Sequence, residues 1–164
     1  MTTNKSPENG ITRPHTAADF QATRERLGIS SNDMARFLGI EKRTVTRWES
    51  PASPAEPISQ AWEILERFER RHSAAINTAL DAIEEAGEDT VTIPYWPSAA
   101  AYCAEHPGAA ISYGMANADA RALAEVAETL GYTVRFVWPD TDMIREQVAR
   151  ADERRQKWPR DFSD

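Results

Sequence analysis

Four residues within one short stretch have the types and the spacing to recognise a polyanion: Lys42, Arg43, Thr46 and Arg47. If the segment is helical, Val45 and Trp48 fall on one side of it and these four lie on or near the other. Arginine and lysine so placed can donate to guanine O6 and N7, and a threonine methyl can touch the methyl of thymine. A well-made bidentate pair contributes about 1–3 kcal/mol of base discrimination. A helix with three exposed cations can equally be an ordinary solvated face, so the elements around it have to decide.

Other chemistries lack their residues. His15, His72 and His106 fall in a polar arm, on a helical stripe and beside Pro107, without the spacing of metal ligands. Cys103 is the single cysteine, with no base identifiable near it, and reads as a buried residue; an intrachain disulfide and a cysteine-clustered zinc site are excluded. There is no glycine-rich phosphate loop. Asp81, Glu84, Glu85, Glu88 and Asp89 could suggest a cation site but read as the solvated end of a helix. The expectation is a protein with no catalytic residues, no metal and no cofactor.

The chain has 164 residues, a net charge of −7, 41% hydrophobic and 27% charged residues. That is enough apolar content for one domain or two small ones. No apolar run approaches the length of about 18 residues needed to cross a membrane, and residues 1–10 hold no apolar signal-like region. A cytoplasmic protein is therefore expected. Residues 1–52 carry eight Lys/Arg against six Asp/Glu, or +2, which leaves −9 for the rest. A mildly basic head precedes an acidic body.

Thr16 with Asp19, and Ser30 with Asp33, read as helix caps, the second after Gly28 has ended the first helix. The first helix runs to about Leu27 and buries Phe20 and Leu27. The second turns Met34, Ala35 and Leu38 inward and ends at Gly39; the third runs through Thr44, Val45 and Trp48 to Glu49. Residues 50–57 contain three prolines and break the helical pattern, with Pro57 fitting the first turn of the next helix. From there Ile58, Ala61, Leu65, Phe68, His72, Ile76, Ala79 and Ile83 recur in steps of three and four, a helix to about Ala86. Strands are predicted over 91–96, 110–113 and 132–138, and helices over 98–105, 117–130 (capped by Asn117) and 140–157.

The segment from Ser30 to Glu49, with Ala35, Gly39, Ile40 and the run Thr44-Val-Thr-Arg-Trp-Glu49, resembles the helix-turn-helix of the lambda-repressor/Cro (XRE-like) family. It departs from that pattern at Thr23, Ser31 and Pro51. The resemblance implies that Ser30 and Ser31 approach a DNA phosphate, that Lys42, Arg43, Thr46 and Arg47 reach bases, and that Arg24 pairs with Glu49 to hold the recognition helix. The C-terminal half more weakly resembles anti-CRISPR-associated repressors, in the order of its elements alone. The expected fold is α+β: an N-terminal helix-turn-helix bundle, a long connecting helix and a small C-terminal α/β dimerisation domain. The boundaries are a flexible arm at 1–14, the DNA-binding domain at 15–56, the connecting helix at 57–87, the α/β domain at 88–138, and a helix with a frayed tail at 139–164. The expected function is a sequence-specific DNA-binding regulator, a homodimeric (auto)repressor reading an inverted repeat. Two alternatives stand beside it: an antitoxin-type module whose acidic half binds a partner protein, and RNA binding by the same basic face. The head is expected to fold by itself when the chain is cut after Thr90.

Overall fold

Thr16 and Asp19 exchange hydrogen bonds across the start of α1 (Ala17–Arg26): the hydroxyl accepts from Asp19 N at 3.1 Å, and the carboxylate accepts from Thr16 N at 3.2 Å. Ser30 and Asp33 repeat the exchange at α2 (Ser31–Leu38), at 3.0 and 3.2 Å. Caps of this kind contribute about 1 kcal/mol each, which matters for helices too short to persist alone. Gly39 ends α2 at φ +67°, and Ile40 N donates to Ala35 O at 3.0 Å, so the chain turns within three residues into α3 (Lys42–Trp48). These features come from a computed structural model that describes residues 16–139. The arm and the final helix expected at 140–157 lie outside the described residues.

The remaining elements are α4 (Ser59–Ala86), β1 (Thr90–Pro94), α5 (Ala99–Glu105), α6 (Tyr113–Thr129) and β2 (Thr133–Val137). The described residues thus form six helices and one two-stranded parallel sheet, an α+β protein. With 28 residues, α4 spans about 42 Å. It starts later than expected: Ile58 keeps an extended ψ of 157° as the cap, so Pro57 precedes the helix instead of sitting in its first turn. Among the described residues no helix is long and apolar enough to cross a membrane.

The larger core gathers around Phe20, which meets Trp48 and Trp62 edge-on at centroid distances of 5.9 and 5.4 Å. Leu27, Ile29, Met34, Val45, Leu65 and Phe68 surround it, and Leu38 is only half-buried at its margin. Met115, from the far end of the chain, is also fully buried in this core. Burying a side chain of that size contributes about 1.5–3 kcal/mol. A head ending at Thr90 would lack this side chain from its core.

Met115 reaches that core because two backbones touch. A Cβ on Gly28, which sits at φ +69°, would lie 2.0 Å from Gly114 O. A Cβ on Gly114 would lie 2.7 Å from Gly28 O. Only paired glycines allow the α1–α2 turn to rest on the first turn of α6. Farther along, α4 and α6 are tied by Asp119, whose carboxylate accepts two 2.7 Å hydrogen bonds from Arg71 Nη2 and one from His72 Nδ1.

The smaller core lies between α6 and the sheet. Val91 and Ile93 pack on Ala120 and Ala124, with Ile83, Leu123 and Val134 at the margin. Strand register pairs Val91 with Val134 and Ile93 with Phe136. A parallel pair needs a long crossover, supplied here by α5 and α6. Asn117 secures the crossover: its Nδ2 donates to Trp96 O at 2.9 Å, and its Oδ1 accepts from Trp96 N at 2.8 Å.

Three expectations fail in this half. Residues 110–113 form no strand; Ser112 caps α6, its hydroxyl accepting from Met115 N at 3.4 Å. Asn117 is therefore no cap but an interior residue of α6, drawn inward by the open backbone of Trp96. Cys103 is exposed, because Ala101 and Tyr102 take the inward positions of α5. Tyr102 stacks beside Trp96 and His106, and burial pushes its hydroxyl above the usual value near 10, with Arg71 opposing the shift.

Candidate nucleic-acid interface

α3 has only seven residues and no side-chain cap, so its position depends on what holds it from behind. Val45 is fully buried and Trp48 is 5% exposed, which anchors one side in the larger core. The C-terminal end is gripped by Arg24. Its Nε donates to Glu49 Oε1 at 2.6 Å, its Nη2 to Glu49 Oε2 at 3.0 Å, and its Nη1 to Ile29 O at 2.6 Å. One guanidinium thereby joins α1, the α1–α2 turn and the end of α3. Both side chains of the pair are over nine-tenths buried, so neither can be removed without stranding the other. Losing one partner of such a pair costs about 3–5 kcal/mol.

Lys42, Arg43, Thr46 and Arg47 lie on the opposite side, and all four are exposed. Arg43 ion-pairs with Glu41, the cap residue two positions back, at a site where both side chains are mostly solvated; such a pair is weak and easily exchanged. Lys42 and Arg47 make no ion pair among the described residues. The Thr46 hydroxyl donates to Arg43 O at 3.0 Å, so its proton is spent on its own helix. The result is a row of three cations flanking a threonine, supported by a buried base. The acidic run Asp81, Glu84, Glu85, Glu88 and Asp89 is exposed as expected, and no described group of three or more His, Cys, Asp or Glu could hold a metal ion.

Ser30 and Ser31 stand differently from the expectation. The Ser30 hydroxyl donates to Asp33 Oδ2 at 2.6 Å while accepting from Asp33 N, so it is committed to the cap. The Asp33 carboxylate also covers Ser30 N at 3.2 Å. Phosphate contact at this end would fall to Ser31 and the free backbone N–H groups of the first turn.

Sequence reasoning missed the neighbours of that turn. Through the Gly28–Gly114 contact, Ser112 and Tyr113 share a cleft with Ser30 and Asp33. Only a pair of glycines 86 positions apart could have hinted at it. No family model matches the chain, and no curated protein is significantly similar to it.

Proposed function

We propose that the protein is a sequence-specific DNA-binding regulator in which α1–α3 act as a helix-turn-helix and α3 enters the major groove. The observation that carries this reading is the cationic face of α3, open to solvent and held by the buried Arg24–Glu49 pair. Lys42, Arg43 and Arg47 would supply base and phosphate contacts, and the Thr46 methyl an apolar one. A preorganised helix suits this work, since a contact of fixed geometry discriminates between bases better than a mobile one.

A single short helix reads too few base pairs to select an operator, so we assign the protein a dimeric mode on an inverted repeat. The C-terminal half supports this with solvent-facing apolar side chains: Val126, Leu130, Phe136 and Trp138 are 38%, 63%, 47% and 62% exposed. Repression by occupying such a site, without catalysis, follows as the simplest mechanism. The test is fluorescence anisotropy on a duplex bound by the protein. Arg43→Ala should relax base preference, costing about 1–3 kcal/mol against the preferred site, and binding should weaken steeply with salt. A variant that keeps the full preference contradicts the assignment.

A second reading is favoured by one feature. Between Arg71 and Arg121 the chain has no Lys or Arg, and five exposed acids crowd the end of α4 and the turn after it. An antitoxin-type module would use that surface to bind a basic partner protein. Co-purification of a stoichiometric basic protein with the full chain would favour it over the regulator alone.

A further inference from the structure

A cleft of about 360 Å³ lies where α1, α4 and α6 meet, walled by Glu25 and Arg26 on α1, His72 on α4, and Arg121, Ala122 and Glu125 on α6. From this arrangement the geometry points to a binding site for a small zwitterion, a molecule carrying both an ammonium and a carboxylate group, such as a free amino acid. His72 is the first ground. It is 5% exposed, yet it lines the cleft. Its Nδ1 faces the Asp119 carboxylate, which can only accept, so Nδ1 carries a proton, and a ring holding that one proton leaves Nε2 as an acceptor. No described residue hydrogen-bonds to Nε2. A ring nitrogen that opens onto a cleft, on a side chain otherwise buried and held by a carboxylate behind it, can meet a donor that the protein does not supply.

The charges beside it are the second ground. Arg121 and Glu125 stand one turn apart on α6 but do not pair with each other. Arg121 donates instead to the Tyr95 hydroxyl at 2.8 Å, a neutral partner that leaves its charge uncompensated. No described residue forms an ion pair with Glu125. The charges on α1 are already engaged: Arg26 with Glu69, and Glu25 with Gln21 at 2.8 Å and Arg24 at 3.7 Å. The cleft therefore offers one open cation, one open anion and one ring nitrogen held in place by Asp119. A simple anion would meet Glu125 and a simple cation would meet Arg121, each at a cost. A zwitterion answers both, with its carboxylate toward Arg121 and its ammonium shared by Glu125 and Nε2. The volume fits a small molecule and excludes a folded partner.

This site stands apart from the nucleic-acid reading, because ligand binding is measured directly. Isothermal titration calorimetry of the full chain against individual L-amino acids, with acetate and methylammonium as singly charged controls, tests it. The expected result is a dissociation constant of about 1 mM or tighter for at least one amino acid and no binding of the controls. Ala122→Leu, which fills the cleft from its half-buried wall, should weaken binding at least tenfold. Glu125→Gln, at an exposed position that folding does not need, should weaken it as well. Absence of heat from every amino acid at about 10 mM, equal binding of acetate, or binding unchanged in Glu125→Gln overturns the proposal.

Discussion

Around Phe20 the N-terminal half buries Trp48, Met34, Leu65 and Phe68, with Trp62 half-buried beside them, whereas around Ile93 the C-terminal half buries Val91 and two alanines. All seven of the largest fully buried side chains belong to the first core. The second leaves Leu130, Phe136 and Trp138 facing solvent. The proposed recognition by a short helix demands a rigid base, and the bundle has a well-packed one. A two-stranded sheet with one helix on it is near the lower limit of independent stability, which is in keeping with the dimeric mode proposed for this half. The two halves nonetheless share packing, because Met115 and Gly114 from the second meet the first.

Four substitutions separate these roles, in falling order of effect. Arg24→Ala should be the most damaging, losing about 3–5 kcal/mol by leaving Glu49 buried without a counter-charge, read as a lowered midpoint in urea denaturation. Met115→Ala should cost about 2–5 kcal/mol. Native-state hydrogen exchange should locate that loss in α1–α3 although the change is made in α6; a loss confined to the sheet would contradict the shared core. Asn117→Ala should cost about 1–3 kcal/mol by orphaning the N–H and carbonyl of Trp96, and exchange should accelerate near the end of β1 first. Arg43→Ala should leave the unfolding free energy, read from urea denaturation, within about 0.5 kcal/mol of the parent, as expected of a side chain that folding does not need.

The parts of this molecule that depend on near neighbours were legible in the chain. The Thr16–Asp19 and Ser30–Asp33 exchanges, the stop at Gly39 and the period of α4 are all written within a few residues of each other, and the structure places them there. Errors fall where a distant partner decides. Asn117 has the type of a cap, but Trp96, 21 positions away, draws it inside. Ser112 caps α6 where the apolar pattern of 110–113 suggests a strand. Cys103 is of a residue type expected inside, while Ala101 and Tyr102 hold those positions. In the site, the face of α3 was readable because it is a helical period in one short segment. The commitment of the Ser30 hydroxyl to its cap was readable too, from the same cap that was recognised. The meeting of Arg71, His72 and Asp119 was not, since nothing local couples positions 47 apart.

The most direct test of the central claim is a random-oligonucleotide selection with the full chain, run in parallel with an Arg43→Ala/Arg47→Ala variant. The account predicts an inverted-repeat consensus with half-site centres about 34–36 Å apart, or a multiple of that, and loss of enrichment in the variant. An unenriched pool, or a consensus that survives both substitutions, would contradict the claim that α3 reads the duplex.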